Sequence, residues 1–220
     1  MDVRFLSAGD TAIVVEFGDR IDRTLSDRVL RLGARVRAVG VPGVVETVPT
    51  YRSLMVHYDP LVTDSATLRE QISALLDDNA ASAGVGRLWR VPACYEPTHA
   101  PDIAEVAETK GLTVDEVIRL HTATQFHIYM IGFVPGYPYM GDLPEQLVLP
   151  RRADPRIRVP AGSIAIASTM TAIYPLESPG GWHLLGHVEK VMFDPEPPGD
   201  AGHSLLQAGD TVQFVRADHA

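Results

Sequence analysis

The sequence predicts an α+β protein of two domains: a small two-layer α/β sandwich over residues 1–82 and a closed or nearly closed β-barrel over residues 86–220. Three observations lead there. The first ~80 residues alternate period-2 segments with period-3.6 segments, the pattern of strands and amphipathic helices packed in two layers. Residues 79–86 (NAASAGVG) are small and flexible, as linkers are. From Gln125 onward the chain consists of short β-rich segments separated by Gly and Pro corners, as in a barrel.

Residues 11–17 (TAIVVEF) read as a strand after a Gly9-Asp10 turn. A helix follows, with Thr24 as N-cap and Asp27 at its third position. Leu25, Val29, Leu32, Val36 and Val39 form its apolar face, and Gly40 and Pro42 end it. Residues 44–48 and 54–58 read as strands around a Pro49-Thr50 turn. In the second, Leu54, Val56 and Tyr58 alternate with Met55 and His57. A second helix spans residues 65–78, with Leu68, Ile72, Leu75 and Leu76 inward. After the linker, residues 87–93 read as a strand. Two short helices follow, one from Pro101-Asp102 to Gly111 and one from Thr113, where Glu116 completes a capping box. Later strands are expected at 126–133, 164–167, 182–190 and 211–215.

A net charge of −9 argues against nucleic acid as the main partner, because phosphate binding needs a basic surface. No apolar run approaches the ~20 residues of a membrane span. Met1-Asp2-Val3-Arg4 does not open a secretory leader. The single cysteine, Cys94, leaves no internal disulfide and no multi-cysteine metal site. A cytoplasmic protein is expected.

Chemistry concentrates in residues 131–187, which hold eight of the 17 prolines and seven of the 18 glycines. Such rigid turns are how loops present binding groups, and equally how a barrel turns its corners. Arg151, Arg152, Arg156 and Arg158 sit amid Pro150, Pro155 and Pro160. They suit a carboxylate or phosphate, or surface pairing with Asp154 and other acids. Tyr137, Tyr139, Tyr174 and Trp182 either wall a pocket with O–H and N–H donors or pack barrel ends. The turn Pro160-Ala161-Gly162-Ser163 is a candidate for backbone N–H groups facing a ligand. His183 and His187 share a strand face, but no HExxH is formed, and no metal site is expected. There is no GxxxxGK[ST] loop and no GxGxxG.

The segment Ile131-Gly132-Phe133-x-Pro135-Gly136-Tyr137-Pro138-Tyr139-x-Gly141-x-Leu143-Pro144 resembles the signature of the 5-oxoprolinase B-subunit family. That family is also known as allophanate hydrolase subunit 1 and includes Kip-type inhibitors of a sporulation sensor kinase. Pro150-Arg151-Arg152, Pro155-Arg156, Val159-Pro160-Ala161-Gly162-Ser163, Tyr174-Pro175 and Ser178-Pro179-Gly180-Gly181-Trp182 continue the likeness in order. Members often carry Gln and Gly where this chain has Met170 and Ala172, which touches the identity of the ligand.

The resemblance implies a cyclophilin-like barrel for the second domain. It also implies a partner of the 5-oxoprolinase C-subunit or allophanate hydrolase subunit 2 type. The activity implied is a subunit's share in ATP-dependent opening of 5-oxo-L-proline to L-glutamate, inactive alone, with ATP used by the complex rather than bound by this chain. Under it, Arg151, Arg152 and Arg158 bind a small anionic substrate, Tyr174 donates a proton and His187 transfers one. Phe133, Pro135, Gly136, Tyr137, Tyr139, Gly162, Ser163, Gly180, Gly181 and Trp182 complete the expected substrate-binding set. The alternatives are an allophanate hydrolase or urea-amidolyase-type carboxyltransferase half, a histidine kinase inhibitor and, from the barrel alone, a prolyl isomerase.

Overall fold

The computed structural model describes residues 3–76, 86–199 and 202–217, and the chain divides into two units, Met1–Val85 and Gly86–Ala220. Apart from Gly86, the segment read as a linker lies outside the described residues.

The first unit is a four-stranded antiparallel sheet with two helices. Its strands are β1 (Arg4–Ser7), β2 (Ala12–Glu16), β3 (Val44–Pro49) and β4 (Ser53–Tyr58), in the order β1-β2-β4-β3. β1 has no apolar alternation, and the sequence pattern did not show it. Helix α1 (Arg23–Val39) is capped by Asp22, whose carboxylate accepts from the backbone N–H groups of Thr24 and Leu25. Thr24 therefore sits inside the first turn rather than at the cap. Leu25, Val29, Leu32 and Val36 are buried, whereas Val39, just before the left-handed Gly40, is exposed. Helix α2 (Ser65–Ser73) is capped by Asp64 and buries Leu68 and Ile72. Leu75 and Leu76 pack against the same core from beyond its end.

The second unit is built on a seven-stranded sheet. Its strands are β5 (Leu88–Ala93), β6 (Gln125–Ile131), β7 (Pro138–Met140), β9 (Ser163–Ala167), β10 (Met170–Ile173), β12 (His183–His187) and β13 (Thr211–Arg216), in the order β12-β9-β10-β7-β6-β13-β5. The sheet curls into a half-barrel. Its two edges meet at one point: Cys94, just past β5, and His187 exchange both backbone hydrogen bonds at 2.9 Å. Strands β8 (Arg156–Val159) and β11 (Ser178–Gly180) form a separate antiparallel ribbon. β7 and β11 are too short for periodicity to reveal, and β8 is masked by its arginines.

Helices α3 (Ile103–Lys110) and α4 (Val114–Ala123) complete the unit. The capping box opening α4 is formed: Thr113 N–H donates to Glu116 at 2.7 Å, and Glu116 N–H donates to the Thr113 hydroxyl at 3.2 Å. Replacing Thr113 by Ala is expected to cost about 1 kcal/mol, seen as a lower denaturation midpoint.

One buried polar chain runs through this core. Thr171 gives its hydroxyl proton to the Ala165 carbonyl at 3.0 Å. His121 therefore donates to Thr171 through Nε2 at 3.1 Å and accepts the Tyr95 phenol proton at Nδ1 at 2.8 Å. This is a neutral imidazole with both nitrogens satisfied, stacked on Phe214. Burial lowers its pKa to about 3.

Candidate functional site

The Gly/Pro-rich turns of the second unit enclose a cavity of about 470 Å³. Phe133 and Tyr137 come from the loop after β6, Tyr139 from β7 and Tyr174 from the residue after β10. Pro179 and Gly180 come from β11, Gly181 and Trp182 from the step into β12, and Arg151, Arg152 and Pro155 from the loop before β8. Five aromatic rings thus form its walls, and two guanidinium groups supply its charge. Gly180 is required by contact: a Cβ there would lie 2.1 Å from the Tyr174 hydroxyl oxygen.

Tyr137 packs edge-on against Tyr174, with ring centroids 5.1 Å apart. Beside burial, the Tyr137–Tyr174 side-chain interaction raises the first pKa further and offsets part of the rise in the second. Burial pushes all three phenols, Tyr137, Tyr139 and Tyr174, above their ordinary range, against the pull of Arg151. They stay protonated at neutral pH and act as donors, not bases.

The arginines differ sharply in commitment. Arg152 donates to Asp102 at 3.1 Å and to Glu105 at 3.2 Å. Arg156 donates to the same Asp102 oxygen at 2.6 Å, and the other Asp102 oxygen accepts from Leu184 N–H at 2.7 Å. Asp102 is only 3% exposed and ties the start of α3 to β8, β12 and the cavity wall. Arg158 lies away from the cavity lining, its side chain 75% exposed, and grips Glu177 with two 3.0 Å hydrogen bonds. Arg151 lines the cavity, and among the described residues it has no carboxylate partner within ion-pair distance. Because Arg158 does not line the cavity, Arg158→Ala is expected to leave substrate turnover near the parent value and to cost under ~1 kcal/mol of stability.

Other candidates lie elsewhere. Pro135 and Gly136, the latter at φ +77°, shape the turn into Tyr137 without lining the cavity. The N–H groups of Gly162 and Ser163 already donate to Tyr174 O and Pro160 O. His187 is half-buried at the closing bridge, stacked on His99 at 5.1 Å, and does not line the cavity that holds Tyr174. Burial, then the His99 charge, lowers its pKa. Met170 and Ala172 are buried in β10 and do not reach the cavity lining. Asp102, Pro155 and Pro179 stand outside the expected site residues. Asp102 read as a helix start because its partners are 50 and 54 residues away. Among the described residues no group of three or more His, Cys, Asp or Glu is placed to hold a metal ion. None of the described helices is long and apolar enough to cross a membrane.

Residues 3–201 match the family described as carboxyltransferase domain, subdomain C and D. The chain is 38% identical to the 5-oxoprolinase B-subunit of Escherichia coli O157:H7, over 94% of this chain and 93% of that one. Among solved structures it superposes on TTHA0988 with a TM-score of 0.85 at 32% identity, covering 95% of this chain but only 40% of that one. It also superposes on Kluyveromyces lactis urea carboxylase with a TM-score of 0.77 at 20% identity, covering 98% of this chain and 22% of that one, a likeness of fold.

Proposed function

The chain belongs to the carboxyltransferase subdomain C and D family, alongside chains named as B-subunits of 5-oxoprolinase, and from that membership we propose that it is a subunit of a 5-oxoprolinase. The complex would hydrolyse 5-oxo-L-proline to L-glutamate with ATP, in the cytoplasm. The observation that carries this reading is the cavity itself: one uncommitted guanidinium, Arg151, beside phenol donors within aromatic walls. 5-Oxoproline has one carboxylate, one lactam carbonyl, one lactam N–H and an apolar face of ring CH groups, and the cavity offers counterparts to the carboxylate, the carbonyl and that face.

In this reading Arg151 holds the carboxylate and orients the ring. Tyr174, kept protonated by burial, donates to the lactam oxygen and draws electron density from the carbonyl carbon. In the complex, ATP would supply a phosphoryl group to activate the lactam carbonyl, which is a poor electrophile as an amide. The described residues do not fit the nucleotide. No glycine-rich cradle for its phosphates is formed, and one uncommitted guanidinium matches a single carboxylate rather than a triphosphate. The nucleotide site is assigned to a partner of the 5-oxoprolinase C-subunit type.

The test is glutamate release from 5-oxoproline by the chain co-purified with that partner, with each component and ATP omitted in turn. Release is expected only from the full mixture. Equal release without this chain overturns the assignment, and turnover of allophanate in place of 5-oxoproline moves the chain to the urea-degrading branch.

A further inference from the structure

Phe133 occupies a backbone position suited to glycine. Strand β6 ends at Ile131, and Val134 N–H donates to the Gly132 carbonyl at 2.9 Å. That bond closes a three-residue turn whose middle residue, Phe133, has φ +70°. This is the uncommon, strained form of the γ-turn, and a bulky side chain there is an outlier. Glycines stand nearby at Gly132 and Gly136, yet the strained position carries a ring. Burial does not compensate, because Phe133 is 63% exposed. The position of the ring is what sets it apart. It lines the cavity, edge-on to Tyr137 with ring centroids 5.5 Å apart. Strain of this kind concentrates at ligand clamps, where holding a group in place is the function.

We propose that Phe133 is a specificity-determining residue of the cavity, held out by its strained turn to cover the apolar face of a small cyclic amide. The inference rests on reading the cavity as the substrate site. A five-membered lactam presents its carboxylate to Arg151 and its carbonyl to Tyr174, leaving a face of CH groups. An aromatic ring is the matching surface for that face. An open-chain amide, lacking a rigid apolar face, would gain less from it. The cavity thus selects ring over chain through Phe133 and anion over neutral amide through Arg151.

The experiment compares F133A, F133G and F133Y in the chain assembled with its partner. Ala ordinarily stabilises more than Gly. At φ +70° the order reverses, and F133G is expected to melt about 2–4 °C above F133A. Both are expected to raise KM for 5-oxoproline by about tenfold or more, roughly 1.4 kcal/mol, with kcat nearly unchanged. F133Y, which keeps the ring, stays close to the parent. F133A melting at or above F133G removes the strain from the account. Parental KM in both F133A and F133G removes the recognition role. If R151A raises KM while F133A does not, the cavity reading stands and the Phe133 inference fails. If neither variant raises KM, the substrate does not bind in this cavity.

Discussion

Arg151→Ala is expected to lower kcat/KM of the assembled enzyme for 5-oxoproline by about 10- to 150-fold, the equivalent of ~1.5–3 kcal/mol for a hydrogen bond to a charged group. Arg151 is the cavity guanidinium that no described carboxylate neutralises. Its removal should therefore be felt by the ligand and hardly by the fold. Lysine restores charge but not the planar fork, so R151K should recover only part of the loss. The neutral analogue 2-pyrrolidinone, which lacks the carboxylate, should inhibit parent and variant equally. The contrast with Arg158 is the sharper half of the prediction. Both arginines lie in one Pro-rich stretch, but Arg158 is closed onto Glu177 in water. Equal losses in R151A and R158A would mean that the cavity has been misread.

Stability should fall steeply in mild acid because of His121. Its folded pKa is depressed, to about 3 from 6.5, by burial alone. A base with a depressed folded pKa contributes stability that is fully present above its unfolded pKa and is lost as the unfolded state takes up the proton first. The loss therefore begins near pH 6.5 and continues to about pH 3. At about 1.4 kcal/mol per pH unit it amounts to ~2 kcal/mol at pH 5 and ~5 kcal/mol by pH 3. Protonation in the folded state is resisted because it would place a charge in a fully buried site. His187, whose pKa is also lowered, adds to the loss with the same sign. Urea titrations at pH 7, 6 and 5 measure it. A midpoint that does not move between pH 7 and 5 would contradict the buried neutral imidazole.

The second unit shows where sequence patterns carry information and where they stop. Strands with buried alternation or apolar runs, such as β4, β9 and β13, are legible because burial leaves a period of two or a short apolar block. The α4 cap is legible because both partners lie within four residues. Asp22 displaced Thr24 as the α1 cap because both side chains are good N-caps, and the helix starts two residues earlier, with the N–H groups of Thr24 and Leu25 on the Asp22 carboxylate. Many of the cavity aromatics are legible as a cluster because the turn residues that position them lie beside them in the chain. The division of labour among Arg151, Arg152, Arg156 and Arg158 is not legible. It depends on Asp102 and Glu177, which reach the arginines only through tertiary structure. The backbone strain at Phe133 is likewise invisible, since no residue preference announces a ring at positive φ.

Equilibrium dialysis of labelled 5-oxoproline against the assembled complex, with the parent chain, R151A and R158A in parallel, tests the central claim most directly. The claim is that the substrate carboxylate sits on Arg151 inside the aromatic cavity. The expected result is saturable binding by the parent, unchanged affinity in R158A and a loss of about tenfold or more in R151A, at least ~1.4 kcal/mol. Parental affinity in R151A, with the fold intact, would contradict it.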